Sequence, residues 1–83
     1  MKLVYFSWVR ERIGKTDESL ALPENVTRVD TLLDWLKTRG EEYAYALERA
    51  DIIRVALDQE HVEHDQALGD AREIALFPPM TGG

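Results

Sequence analysis

The chain has 83 residues, 45% of them hydrophobic, and a formal net charge of −6 from 16 acidic and 10 basic side chains. That size means one domain with one small core, because a chain this short buries only about 60% of its unfolded surface. The lack of cysteine excludes disulfides, thiolate metal sites and a thiol nucleophile, and the acidic balance opposes nucleic-acid binding, which leaves a basic footprint.

The first element is a strand, Leu3-Val4-Tyr5-Phe6-Ser7-Trp8-Val9, rich in β-branched and aromatic residues. Starting almost at the first residue, it reads as a central strand buried on both faces. The apolar N-terminal run is too short for a signal peptide, and no run approaches a membrane span. Cytoplasm is the expected location. Val9 to Ile13 forms a short helical turn ended by Gly14. A second strand falls around Glu18-Ser19-Leu20-Ala21-Leu22 and stops at Pro23, close enough in sequence to pair antiparallel with the first.

The clearest element is a helix from about Arg28 to Arg39. Val29, Leu32, Leu33 and Leu36 make one apolar stripe, with Asp30, Asp34 and Lys37 opposite. Thr27 with Asp30 resembles a capping box, and Gly40 supplies the stop. Trp35 lies at the edge of the stripe as a partly buried packing residue. A shorter helix covers Glu42 to Leu47 and packs Tyr43 or Leu47 on the sheet. Ile52 to Leu57 is a third strand, Asp58-Gln59-Glu60 a turn, His61-Val62 a short paired segment and Gly69-Asp70 another turn. Glu73 to Phe77 is the last strand, with Ile74 and Leu76 on one face.

The order β-β-α-β-β predicts an α+β domain, a mixed sheet packed on one main helix. The two terminal strands, both apolar, pair in parallel at the sheet centre if the domain is a ubiquitin-like β-grasp. The domain would span 1–77 and an extended tail 78–83. Proline cannot donate to a sheet ladder, so the strand stops at Phe77 and Pro78-Pro79-Met80-Thr81-Gly82-Gly83 leaves the body. Without a Cβ, Gly82 and Gly83 can thread a narrow channel, and six extended residues reach at most about 20 Å. The alternative for such a terminus is simple fraying.

These residues resemble a known family. Phe77-Pro78-Pro79-Met80-Thr81-Gly82-Gly83 is similar to the ending of the small subunit of molybdopterin synthase, as are Val4-Tyr5-Phe6 and Val9-Arg10-Glu11 near the start. The resemblance spans essentially the whole chain. It implies a β-grasp sulfur carrier, not an enzyme on its own. Gly83 would be joined to AMP by an adenylating enzyme of the ubiquitin-activating type, at the expense of ATP, and then become a thiocarboxylate, with Gly82 allowing the approach. The tail would enter the large subunit of a heterotetramer and give sulfur to cyclic pyranopterin monophosphate. No cofactor would be bound permanently. Phe6, Arg10, His61, Phe77, Pro78, Pro79, Met80 and Thr81 would touch the partner. The sequence departs from the family pattern at Leu57-Asp58-Gln59, where relatives have Val-Asn-Gln or similar, and at Ala71-Arg72, where relatives have Gly-Asp.

Each of these positions also has a plainer reading. Phe6 and Phe77 are either core residues or an apolar interface patch, and alternation in the last strand sets Phe77 opposite Ile74 and Leu76. Arg10 either pairs with a partner's acid or is solvated. His61 and His64, with Asp65, fall short of a four-ligand zinc set, so no metal is expected. Asp17, Glu18, Glu41 and Glu42 read as solvated charges that steer a basic partner. Three other functions remain open: a carrier for thiazole or thionucleoside synthesis, a ubiquitin-like protein modifier, and a structural adaptor.

Overall fold

A computed structural model describes residues 1–79 of the chain. Five strands form one sheet: β1 (Lys2–Tyr5), β2 (Asp17–Ser19), β3 (Arg54–Leu57), β4 (Glu60–Val62) and β5 (Glu73–Phe77). Their spatial order is β2-β1-β5-β3-β4. The two terminal strands β1 and β5 run parallel, with Leu3 beside Ile74 and Tyr5 beside Leu76. All other pairs are antiparallel. This is the ubiquitin-like β-grasp arrangement. Helices α1 (Ser7–Ile13), α2 (Val29–Lys37) and α3 (Glu41–Ala46) accompany it, with a short 3₁₀ turn at Ala50–Ile52.

The core follows from two periodicities. In α2 the stripe Val29, Leu32, Leu33 and Leu36 is buried, because residues three and four apart share a helix face. On the sheet, alternation sends Leu3, Tyr5, Val55, Ile74 and Leu76 into the same cluster. α1 adds Val9 and Ile13, and α3 adds Tyr43 and Ala46, followed by Leu47. Fully burying each large aliphatic side chain contributes about 1.5–3 kcal/mol.

Several sequence expectations change here. The first strand ends at Tyr5 rather than running to Val9. Ser7 adopts φ 51°, a left-handed conformation that turns the chain from β1 straight into α1. Trp8 and Val9 are therefore helical, despite their strand propensity. β1 is buried on one face only: Leu3 and Tyr5 are inside, while Lys2 is exposed and Val4 half-buried. The N-terminus of α2 is not closed by Thr27 and Asp30. Instead the Thr31 hydroxyl accepts from the backbone N–H groups of Arg28 at 3.0 Å and Thr27 at 3.2 Å. α2 ends at Lys37, before Gly40, where the Thr38 hydroxyl donates to the Trp35 carbonyl. Ile52 and Ile53 precede β3 instead of belonging to it, because the 3₁₀ turn delivers the chain to Arg54.

Glu18 is the largest departure. It lies across from Leu3 on the helix side of β2, and its side chain is only 10% exposed. Its carboxylate accepts from the hydroxyls of Tyr5 and Tyr43 and from Lys15 and Arg39. Burial raises its pKa, but the bonds from Tyr43, Tyr5, Lys15 and Arg39 outweigh that and bring it down to about 2. Burial, and then the bond to Glu18, push the Tyr5 phenol far above its ordinary range. The cluster ties edge strand β2 to α3 and to the end of α2, and it satisfies the polar end of a tyrosine that is otherwise fully buried.

A testable consequence concerns acid. The folded Glu18 carboxyl titrates near 2 against an ordinary 4.5. Its contribution is complete above the ordinary value and is lost as pH falls from there through the folded value. Glu18→Gln should cost about 1–2 kcal/mol at neutral pH, below the full linkage value because Lys15 and Arg39 reach water. Urea titrations between neutral pH and about pH 2 should show a shallower acid loss in the variant than in the parent. Equal acid slopes would contradict this role.

Candidate functional site

β5 carries the chain to Pro78 and Pro79, so its register decides where they leave the sheet. That register is pinned at the far end of the strand. Asp58 and Gln59, with φ 49° and 72°, form the two-residue turn between β3 and β4, a conformation that matches the strand twist. Aspartate tolerates it better than most residues. The Asp58 carboxylate then accepts from the backbone N–H groups of Arg72 and Glu73, both at 2.9 Å, and its own N–H donates to the Glu73 carbonyl at 2.9 Å. The turn thus holds the first residue of β5.

At the exit, the pairing of Tyr5 with Leu76 brings Phe6 alongside Phe77. The Phe6 N–H donates to the Leu76 carbonyl at 3.1 Å, and the Phe6 carbonyl accepts from Arg10 at 3.2 Å. Phe6 is 45% exposed, one of two large apolar side chains so open among the described residues. Phe77 is half-buried and lies on the sheet face turned away from the helices, opposite Ile74 and Leu76. Arg10 is exposed on α1, one turn beyond Phe6.

The same outer face extends across the sheet. Arg54 pairs with Phe77, and Ala56 pairs with both Ala75 and His61. Two alanines in the middle leave no bulk between the neighbouring strands. His61 therefore reaches over Ala56 to Phe77, with ring centroids 6.5 Å apart and planes tilted by 58°. Ala56 and Ala75 are each only 8% exposed. His61 itself is exposed.

Beyond this face, a groove of about 490 Å³ opens at the foot of the tail, with Asp51, Arg54, His61, Glu63, His64 and Pro79 among its lining residues. His64 does not join His61 as a ligand pair. Its Nε2–H donates to the Ile53 carbonyl at 2.7 Å, which fixes the chain at the start of β3. The Arg49 guanidinium bonded to Asp51 holds that carboxyl below the usual range. Among the described residues, no group of three or more potential metal ligands is present.

Phe6, His61 and Phe77 thus come together on one surface at the base of the tail. Arg10 follows Phe6 on α1, and Pro78 and Pro79, both half-buried, continue from Phe77. Met80, Thr81, Gly82 and Gly83 lie outside the described residues. Sequence reasoning missed Val4, Arg54, Ala56 and Ala75 on the outer face. Strand alternation was the available signal, once β1, β3 and β5 are known to be neighbours. Among the described residues, the arrangement sets no nucleophile against a base. It offers a partly apolar face from whose rim Pro78 and Pro79 continue.

Comparison with known proteins shows the family of the chain. Residues 3–83 match the ThiS family. The molybdopterin synthase sulfur carrier subunit of Escherichia coli is 35% identical over 83 residues, covering 100% of this chain and 99% of that protein. The protein of the same description from Haemophilus influenzae is 30% identical, with coverage of 100% and 99%. Among solved structures, the small archaeal modifier protein 1 of Haloferax volcanii superposes with a TM-score of 0.69 at 26% identity, covering 95% of each chain. The chain belongs to the ThiS family.

The division between core and surface predicts opposite responses to substitution at adjoining positions. Phe6→Ser should change unfolding free energy by less than about 1 kcal/mol, as for an exposed residue. Leu76→Ala should cost about 3 kcal/mol. Denaturant titration of both variants checks this, and a loss at Phe6 as large as at Leu76 would return Phe6 to the core.

Proposed function

We propose that this protein is a cytoplasmic sulfur carrier that acts as the small, non-catalytic subunit of a molybdopterin synthase. The observation that carries the reading is full-length similarity to two proteins described as molybdopterin synthase sulfur carrier subunits. It is joined to a strand that runs from the sheet centre directly into Pro78 and Pro79. The remainder of the tail, Met80-Thr81-Gly82-Gly83, supplies a reactive end with no side chain at its last two positions.

In this reading, an adenylating enzyme of the ubiquitin-activating type joins the Gly83 carboxylate to AMP, releasing pyrophosphate from ATP. The step is needed because a carboxylate oxygen is a poor leaving group, whereas AMP leaves readily. A sulfur donor then displaces AMP and leaves a thiocarboxylate. The tail enters the large subunit, where the thiocarboxylate delivers sulfur to cyclic pyranopterin monophosphate. Phe6, Arg10, His61 and Phe77, with Pro78 and Pro79, form the docking surface that aims the tail, and Met80, Thr81 and Gly82 line the inserted segment. Two small and two large subunits make the working heterotetramer. No side chain of this protein takes part in the chemistry, and no cofactor stays bound.

A second reading, a ubiquitin-like modifier joined to protein lysines, is favoured by the likeness to the archaeal modifier protein. The two differ in product. After incubation with the adenylating enzyme, ATP and a sulfur source, intact mass spectrometry should show a gain equal to the exchange of one oxygen for sulfur. Deletion of Gly83 should abolish that gain. Adding the large subunit and the pterin precursor should then return the protein to its starting mass. Higher-mass conjugates in lysate, without a thiocarboxylate form, would support the modifier instead.

A further inference from the structure

The outer face carries a cation that no described carboxylate of the chain engages. We propose that Arg54 anchors the dock by taking a carboxylate of the synthase large subunit, so that the partner's surface is acidic where it meets the base of the tail. The inference rests on the sulfur-carrier reading and names the chemistry that this same surface selects.

Arg54 holds an inner place on the face. It opens β3, the strand next to β5 in the sheet. It pairs with Phe77, the last residue before Pro78, and shares its outer face. β4 lies beyond as the edge strand, so His61 stands at the rim. Ala56 follows on the same side of β3 and pairs with Ala75, which keeps the floor beside Arg54 free of bulk. A partner that covers Phe77 therefore covers Arg54 as well. Arg54 is exposed, so water solvates its guanidinium in the free protein.

The neighbouring acids are engaged or distant. Among the described residues, Arg12, Lys15, Arg28, Arg39 and Arg49 form ion pairs, and Arg54 is in none of them. Asp51 lines the same groove as Arg54, but Arg49 bonds both of its oxygens, at 3.0 and 3.1 Å. Glu63 also lines that groove and is exposed, with no bond to Arg54. Asp17 reaches the outer face through its pairing with Val4, three strand spacings or about 14 Å from Arg54. Glu73 lies at the opposite end of β5, about 13 Å from Phe77, where it pairs with Lys2. Both lie beyond the screening length of about 8 Å at physiological salt. The net charge of −6 is thus carried elsewhere, and the exit end of this face is locally basic, with Arg10 one turn beyond Phe6 as a second exposed cation.

Docking removes the water around Arg54. A cation buried without a partner is strongly unfavourable, so a surface that covers Phe77 must supply an anion there. A carboxylate fits best, because the planar guanidinium donates two parallel N–H bonds to its two oxygens. The same requirement rejects partners whose matching surface is apolar or basic, which makes Arg54 a specificity residue as well as an anchor.

The experiment measures binding of the molybdopterin synthase large subunit from the same organism, by titration calorimetry near neutral pH. Wild type, Arg54→Leu, Arg54→Lys and Arg54→Glu are compared. All three variants should keep the urea midpoint of the wild type, as for an exposed position. Arg54→Leu should raise the dissociation constant about thirtyfold, as for truncation of one member of a buried charge pair. Arg54→Glu should weaken binding further. Arg54→Lys keeps the charge but loses the fork, and should fall between wild type and Arg54→Leu. In the complex of Arg54→Lys, a carbodiimide should join the introduced amine to an aspartate or glutamate of the large subunit, seen by mass spectrometry as a cross-linked peptide containing position 54. Arg54→Leu binding within about threefold of wild type, or Arg54→Glu binding no more weakly than Arg54→Leu, would overturn the inference and leave the carrier reading intact. So would a saturated Arg54→Lys complex that yields no such peptide. No binding by the wild type would overturn the carrier reading, and the inference with it.

Discussion

The parallel pairing of β1 with β5 is the constraint on which the rest of this structure depends. It joins the first strand of the chain to the last, at the centre of the sheet. Parallel neighbours cannot be joined by a tight hairpin, so everything between must form a crossover. Here that crossover includes the hairpin partner β2, helix α2 and the β3–β4 hairpin. The pairing also fixes which side chains are inside. A slip of one residue would move Ile74 and Leu76 to the outer face and Phe77 into the core. The same register that builds the core therefore sets Phe77 beside Phe6 and leads the chain from the end of β5 into Pro78 and Pro79. Fold and exit are consequences of one ladder.

Two points of unusual backbone bracket that ladder. Ser7 turns the chain abruptly from β1 into α1 and leaves Phe6 at the corner. Asp58 turns β3 into β4 and clasps the start of β5. Non-glycine residues with positive φ cost of order 1–3 kcal/mol each and persist only where the surroundings compensate. At Asp58 the carboxylate makes its own compensation, through two backbone N–H groups. At Ser7 the compensation is the packing of Val9 and Ile13 into the core. On the opposite edge, Glu18 and its four donors hold β2 against the helices. That leaves the outer face of β1 and β5 without a covering helix or strand among the described residues.

Features set by short-range periodicity were legible in the sequence. The stripe of α2, the limits of β5 and the turn at Asp58 and Gln59 were all readable from neighbouring residues. The departures share a different cause. Ser7, Trp8 and Val9 have strand-like character, but the sheet needs only four residues of β1 before the chain must turn. Thr31 displaces Thr27 as the closing hydroxyl because the bend at Arg28 presents two N–H groups to it. Glu18 looked like any acidic residue in a polar stretch. Its donors lie 13 residues away at Tyr5 and 25 away at Tyr43, and no local pattern reports such a meeting. The outer face was hidden in the same way: Ala56, Ala75 and His61 become one surface only when the strand order is known. The tail stood out from composition alone, whereas the surface around it required the fold.

A carrier of this kind separates recognition from chemistry. In the proposed reading the reacting atom belongs to the chain end, so the domain needs no pocket of its own, and its outer face carries alanines between aromatic rings. Small side chains on that face have a kinetic use. A protein that is loaded by one partner and unloaded by another must leave each of them, and a tight apolar socket would slow that exchange, since affinity differences between related complexes lie mostly in dissociation rates. A small patch with a polar ring at its edge holds less firmly than one built of aliphatic residues. The acidic body compensates on the approach side, because complementary charge raises encounter rates without deepening the bound state in proportion. The chain's −6 charge and its nearly featureless outer face are then two halves of one solution: fast arrival on a surface that does not hold too long.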